Sequence, residues 1–208
     1  MPITNGYCTL QEVKAAARIT DSVDDTLLEN CVEAASRRID GFTGVFFYQT
    51  TNTISLYLVD APFVTPLSYN QYVLYIPDLV SVTSLKTDDD GDGTFETTWV
   101  AGTDYRLEPT NTALQNRPYS QVVAIGAKTW PVYTAPPMPG IQINGVWGWP
   151  AIPDDIREAC VIMSLRLFNR YNSPLGTLGF GDLGTVSLRA VDPDVRDILS
   201  PYRQIAIA

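Results

Sequence analysis

The hydrophobic period of the sequence changes twice along the chain, and this change limits the possible folds more than any other feature. Near the N-terminus, Leu28, Val32 and Ile39 recur at the spacing of one helix face. Between residues 45 and 149 apolar and polar residues alternate instead, and helical spacing returns at Pro153. The sequence therefore predicts an α+β fold. Both chain ends form a small helical bundle, residues 1–44 plus 150–208, around an inserted antiparallel β-sheet or sandwich domain, residues 45–149.

The predicted helices begin with recognisable caps. Thr9 and Glu12 have the spacing of a capping box, so the first helix is predicted to begin at Thr9. A second helix takes Asp24 or Asp25 as its N-cap and is predicted to end near Gly41, because glycine suits a helix C-terminus.

The helix that follows Pro153 is apolar on nearly every side. Between Ala159 and Phe168 only Ser164 and Arg166 are polar. A helix of this kind needs cover on most of its surface, and a short chain with few long helices can hardly supply it. We therefore expect neighbouring subunits to cover it.

The chain contains no histidine, and its charged residues give a net charge of −9. Without histidine, Ser-His-Asp and Cys-His catalysis, histidine-ligated zinc and a histidine pH switch are all excluded. The acidic charge argues against a protein that grips the outside of DNA, because such a protein needs a basic surface.

The three cysteines are Cys8, Cys31 and Cys160, an odd number at wide spacings. They predict no disulfide framework, and Cys31 and Cys160 are interpreted as small core residues. The N-terminus lacks the regions of a signal peptide, and no apolar run is long enough to span a membrane. We expect the chain to be made and folded in a reducing cytoplasm.

An acidic motif between two predicted strands matches the first half of an EF-hand calcium loop. The twelfth position of that pattern needs a bidentate glutamate and holds Trp99, so a true EF-hand is not expected. Two interpretations stay open: a structural calcium ion in a β-hairpin loop, or a solvated acidic turn. The candidate ligands are Asp88, Asp90, Asp92, Thr94 and Glu96.

Other patterns are weaker. Residues 179–184 match GxGxxG but follow a helix, so we interpret them as a loop rather than a dinucleotide site. Asp60, Asp104 and Glu108 fall in no catalytic motif. Aromatic residues at strand spacing suit either a sugar-binding platform or the core, and core or interface is the commoner role. They are Tyr69, Tyr72, Trp130, Tyr133, Trp147 and Trp149.

Five segments together resemble a known family. They are residues 7–14 (YCTLQEVK), 34–40 (AASRRID), 148–159 (GWPAIPDDIREA), 172–176 (NSPLG) and 192–195 (DPDV). In these segments the chain resembles the head–tail connector, or adaptor, proteins of long-tailed double-stranded DNA phages, as found in actinobacterial phages. The resemblance covers the two chain ends and leaves the β region without a role.

The resemblance implies a structural protein of the virion neck, assembled in the host cytoplasm, with no enzymatic activity. It implies a ring of about twelve subunits that docks on the portal protein, extends the DNA channel and joins a further connector or tail-terminator protein. DNA would pass through the lumen without sequence-specific binding, because an acidic wall repels phosphate. The alternative is a calcium-dependent carbohydrate- or surface-binding β module.

The resemblance also points to the C-terminal segments as portal contacts. The candidate docking residues are Leu175, Leu178, Phe180, Leu183, Arg189, Arg196 and Arg203. The alternative role for the same residues is to close the subunit's own core.

Overall fold

The computed structural model describes residues 3–57, 64–67, 71–131, 139–172, 177–179, 185–187 and 193–203. The chain divides into two compact units. The first, here called the helical unit, consists of Met1–Tyr48 and Ile152–Ala208; the second, the β unit, consists of Gln49–Ala151. Helices and an antiparallel sheet are both present, which confirms the α+β prediction.

The elements in chain order are α1 (Leu10–Ala17), α2 (Asp25–Thr43), β1 (Thr50–Tyr57), β2 (Val64–Leu67), β3 (Gln71–Thr87), β4 (Thr97–Trp99), β5 (Tyr105–Glu108), α3 (Thr112–Gln115), β6 (Tyr119–Ala124), β7 (Pro139–Trp147), α4 (Asp154–Asn172), β8 (Thr177–Gly179), β9 (Thr185–Ser187) and α5 (Pro193–Leu199), which a short 3-10 helix (Ser200–Tyr202) follows.

Helix α1 begins with the predicted capping box. The Thr9 hydroxyl accepts a hydrogen bond from the Glu12 amide at 3.2 Å, and the Glu12 carboxylate accepts one from the Thr9 amide at 2.7 Å. Both bonds satisfy amides that the helix leaves without a partner at its N-terminus.

Helix α2 ends two residues beyond Gly41, near which its C-terminus was predicted. The helix continues to Thr43, and Gly44 adopts the left-handed conformation with φ of 73° while its amide donates to the Asp40 carbonyl at 2.8 Å. Gly41 lies within the helix, so glycine alone did not mark the end. Asp24 occupies the N-cap position, but its side chain makes no capping hydrogen bond.

Seven antiparallel strands form the sheet of the β unit, in the order β1-β7-β3-β6-β5, with β2 and β4 each paired to β3. Strand β3 is one strand of 17 residues and continues through Pro77. Register shifts follow Tyr75 and Leu79, on either side of Pro77. Because proline donates no ladder hydrogen bond, it is tolerated at such an irregularity, and the strand passes from β6 to β7 there.

The core of the β unit is a cluster of buried apolar and aromatic side chains that includes Leu79, Leu85, Trp99, Trp130 and Ile143. The rings of Trp99 and Trp130 stack in parallel with their centroids 4.4 Å apart. Among the described residues, no helix is long and apolar enough to cross a membrane.

Candidate functional site

Helix α4 carries more apolar surface than its own unit buries. It contacts α1, α2 and α5. Its buried side chains are those of Ile156, Ala159, Cys160 and Ser164, which share one face. The remaining large apolar side chains between Val161 and Phe168 stay half-buried. As expected, a single chain does not enclose this helix, and an apolar strip remains partly open to solvent. Cover by neighbouring subunits stays a prediction.

Helical geometry locates that strip. At about 100° per residue, Leu165 stands on the side opposite Ile156, and Ile162 stands almost opposite Cys160. Both side chains are half-buried. The strip that contains Ile162 and Leu165, here called the outer strip of α4, is a candidate for contact with another protein surface.

The C-terminal helix α5 packs into the helical unit. Val195 and Leu199 are each 1% exposed. The Tyr202 hydroxyl donates to the Asp155 carboxylate at the start of α4, at 2.8 Å and 2.9 Å. Its ring meets that of Phe47 edge to face, with centroids 5.4 Å apart. For these residues the geometry favours closure of the subunit's own core.

Of the predicted docking residues, Arg196 and Arg203 are described in full, and both are exposed. The Arg203 guanidinium lies 5.9 Å from the centre of the Phe42 ring, a cation–π distance. Leu178 belongs to strand β8, whose backbone pairs with β9. The other predicted residues, Leu175, Phe180, Leu183 and Arg189, lie outside the described residues, as does most of the GxGxxG match.

The acidic motif forms the loop between β3 and β4. It brings together the carboxylates of Asp88, Asp90, Asp92 and Glu96, with one oxygen of each within 4.8 Å of the others. Asp88 is fully buried and accepts the Gly91 amide at 2.7 Å and the Gly93 amide at 2.9 Å. These amides hold the loop in shape around the carboxylates.

Neighbouring side chains tie this loop to the core of the β unit. The Trp99 indole donates to the Thr87 hydroxyl at 3.0 Å, and that hydroxyl donates to Asp89 at 2.8 Å. The Thr97 hydroxyl donates to the other Asp89 oxygen at 2.5 Å. Trp99, at the position where an EF-hand needs its glutamate, is therefore a core residue.

The loop's donor set suits a hard cation, because carboxylate oxygens are the ligands that calcium prefers. Three of the four carboxylates are exposed, so a solvated acidic turn is equally compatible with the geometry. The Thr94 amide donates to Asp92 at 2.7 Å, which gives Thr94 a role in the loop without a metal. Calcium binding stays a prediction.

The aromatic residues do not form a sugar platform in the described chain. Trp130, Trp147 and Trp149 are 4–8% exposed, and the Trp149 indole donates to Asp78 at 3.0 Å. The side chains of Tyr69, Tyr72 and Tyr133 lie outside the described residues. Buried indoles cannot stack on a carbohydrate, so these tryptophans serve the core.

Two of the isolated carboxylates have local structural roles. Asp104 accepts the Val100 amide at 2.8 Å. Glu108 pairs with Arg106 at 3.0 Å and accepts the Thr110 hydroxyl at 2.8 Å. Asp60 lies outside the described residues.

Sequence reasoning missed a buried polar cluster in the helical unit. The Tyr7 hydroxyl donates to Asp40, and the Phe47 amide donates to that hydroxyl at 3.0 Å. The Arg37 guanidinium lies 3.2 Å from the second Asp40 oxygen. Burial raises the pKa of the Tyr7 phenol and the pKa of the Asp40 carboxyl above their ordinary values. Tyr7 and Asp40 lie too far apart in sequence for any spacing rule to pair them.

Comparison with known proteins gives two findings. Residues 7–76 match the family model described as phage gp6-like head–tail connector protein. One similar solved structure is titled "Neck of empty GTA particle computed with C6 symmetry", in which GTA denotes a gene transfer agent. The alignment has a TM-score of 0.56 and 19% sequence identity, and covers 100% of this chain and 95% of that one. This likeness shows a shared fold. No curated protein matches.

Proposed function

We propose that this chain is a head–tail connector protein whose subunits form a ring that docks on the portal, extends the DNA channel and joins capsid to tail. Its role is structural rather than enzymatic, and its place is the neck of the virion. The ring, the portal contact and the channel are the parts of this proposal that need experiments.

The main observation in favour of a ring is the outer strip of α4. Ile162 and Leu165 leave apolar surface half-covered in the isolated chain. Burying apolar area stabilises an assembly by about 25 cal/mol per Å². In a closed ring, each subunit presents one surface to one neighbour and a different surface to the other, so every copy is covered.

The family resemblance and the symmetry of the similar neck structure bear on the number of subunits. The resemblance implies about twelve copies. The similar neck structure was computed with C6 symmetry. A six-fold axis is compatible with any ring whose subunit number is a multiple of six, and therefore supports a ring of this kind without fixing its number.

Portal docking is proposed for the C-terminal segments and rests on exposed charge. Arg196 and Arg203 project from a short helical segment that Val195 and Leu199 anchor in the helical unit. A rigid base with exposed guanidinium groups suits recognition of carboxylates on a partner. Leu175, Leu178, Phe180, Leu183 and Arg189 complete the proposed contact.

The acidic charge supports passage of DNA through the ring. With a net charge of −9, a subunit offers little attraction to phosphate. A channel wall of this sign would let the duplex slide, because the counterion-release term that drives non-specific DNA binding requires lysine and arginine contacts.

Electron microscopy of particles made with and without the chain tests the function. We expect particles that lack it to accumulate as heads and tails that are not joined, and supply of the wild-type chain to restore joined particles. Normal joined particles in its absence would overturn the proposal. Labelling of the chain at a site other than the head–tail junction would overturn it as well.

A further inference from the structure

We propose that Cys8 and Cys160 form an intramolecular disulfide bond when the folded chain meets a small-molecule disulfide such as oxidised glutathione. Their sulfur atoms lie 3.1 Å apart, although the residues are 152 positions apart in the sequence. Both side chains are buried free thiols. Sulfur atoms at this distance need only a small movement to reach the bonded distance of about 2.05 Å.

The surrounding residues hold the two thiols in place. Cys8 directly precedes the N-cap of α1, and the amide of its neighbour Tyr7 donates to the Ser36 hydroxyl at 3.0 Å. Cys160 lies on the buried face of α4, where its carbonyl accepts the Ser164 hydroxyl at 2.7 Å. Both backbones are therefore fixed on either side of the sulfur pair.

The pair is also chemically unequal. The Cys8 thiol donates to the Cys160 sulfur, and this hydrogen bond lowers the pKa of the Cys160 thiol below its ordinary value. The hydrogen bond to Cys160 and burial raise the pKa of Cys8. The negative charge of the pair is therefore favoured on Cys160.

The exchange balances in two steps. One cysteine of the pair gives its proton to water, and its thiolate attacks one sulfur of the oxidised small molecule to form a mixed disulfide; the small thiolate that leaves takes up the proton of the second cysteine. The thiolate of the second cysteine then attacks the sulfur of the first and releases the other small thiolate, which takes up a proton from water. The chain loses two electrons and two hydrogens, and the oxidant gains both.

The bond would join the start of the chain to α4. Closing a loop of this length restricts the unfolded chain and so stabilises the folded one. A chain that folds as a dithiol in a reducing cell would become cross-linked in oxidising surroundings, where disulfides persist. This inference goes beyond the proposed function and does not depend on it.

Mass spectrometry of the full-length folded protein tests the proposal. The protein is reduced, freed of reductant and incubated with oxidised glutathione. We expect the intact mass to fall by two hydrogens, and digestion without reductant to give one cross-linked pair of peptides that contains Cys8 and Cys160. The oxidised protein should melt at a higher temperature than the reduced protein.

Single substitutions supply the controls. Cys8→Ala and Cys160→Ala should each abolish the cross-link and the difference in melting temperature between the two states. Cys31→Ala should leave both unchanged, because Cys31 is buried elsewhere on α2. If a Cys8 or Cys160 variant does not fold, peptide mapping of the wild-type protein alone tests whether the Cys8–Cys160 bond forms. A cross-link that involves Cys31 would overturn the proposal. So would a folded protein that keeps three free thiols while urea-unfolded protein oxidises under the same conditions.

Discussion

The Tyr7 hydroxyl donates a hydrogen bond to the Asp40 carboxylate inside the helical unit, with Tyr7 only 1% and Asp40 8% exposed. The same hydroxyl accepts the Phe47 amide, so one phenol oxygen joins the segment before α1, the C-terminal part of α2 and the segment that follows it. Its loss would leave an acceptor and a donor without that partner in the interior.

Tyr7→Phe is therefore expected to destabilise the protein by about 1–3 kcal/mol, the cost of leaving buried polar groups unsatisfied. Urea unfolding followed by circular dichroism measures the change. Tyr48→Phe is the matched control, because Tyr48 is half-buried and its substitution should cost little. Equal stability of Tyr7→Phe and the wild type would show that the hydroxyl contributes nothing.

Asp40 should make stability depend on pH in one direction. Burial raises the pKa of its carboxyl above the ordinary value of 3.8. The folded state then holds the proton more tightly than the unfolded state. Its contribution to stability is fully present below pH 3.8 and is lost as the pH rises through the folded-state pKa.

The difference in unfolding free energy between the wild type and Asp40→Asn isolates this contribution, because other groups titrate in both proteins. We expect the difference, wild type minus variant, to fall as the pH rises above about 4, by at most about 1.4 kcal/mol per pH unit. A difference that rises over this range would contradict the direction of the shift.

Gly145 in β7 lies against β3, where a Cβ atom would overlap the Ser81 carbonyl oxygen. Gly145→Ala should therefore destabilise the β unit by about 2 kcal/mol or more, because backbone cannot move aside cheaply. Gly41→Ala is the control: Gly41 lies in α2 with nothing within 4 Å of a Cβ. There alanine should stabilise by about 0.5–1 kcal/mol. Thermal melts of both variants measure the two effects. A melting temperature of Gly145→Ala above that of Gly41→Ala would contradict the close approach of β7 to β3.

Comparison of Leu199→Ala with substitutions of Arg196 and Arg203 distinguishes two roles of the C-terminal residues, closing the core and binding the portal. Leu199 is 1% exposed, so its truncation should cost about 2–5 kcal/mol. Arg196→Ala should change stability by less than about 0.5 kcal/mol, because Arg196 is exposed. Arg203→Ala should cost at most about 1 kcal/mol, because Arg203 is exposed and loses only its cation–π contact with Phe42. Weaker portal binding by the arginine variants with unchanged melting temperature would support docking. Unchanged portal binding in both would count against it.

Calcium binding at the acidic loop is tested by melting in calcium and in EDTA. We expect calcium to raise the melting temperature, because an ion that binds only the folded loop stabilises it. Asp90→Asn combined with Asp92→Asn should remove the response, whereas Asp24→Asn, on a residue without a capping bond, should keep it. Identical melts of the wild type in calcium and EDTA would leave the loop as a solvated turn.

Local signals in the sequence predicted the helix starts and the alternating strands, because caps and periodicity act over a few residues. The capping box at Thr9 is the clearest case. These local signals could not predict contacts between residues that are distant in the sequence. Nothing in the sequence related Cys8 to Cys160, and Tyr7 gave no sign of its bond to Asp40. The register shift of β3 near Pro77 depends on its partner strands β6 and β7, which lie far away in the sequence.

The subunit ring is tested most directly by native mass spectrometry and negative-stain microscopy of the chain mixed with its portal protein. The wild type should give a closed ring with a central hole on the portal. Leu165→Glu, in the outer strip of α4, should reduce ring formation at least tenfold while the monomer stays folded, a loss of about 1.4 kcal/mol or more. Leu114→Glu, at a side chain that is 87% exposed in the β unit, should assemble like the wild type. Rings that form equally well from Leu165→Glu, or a wild type that stays monomeric on the portal, would contradict the account.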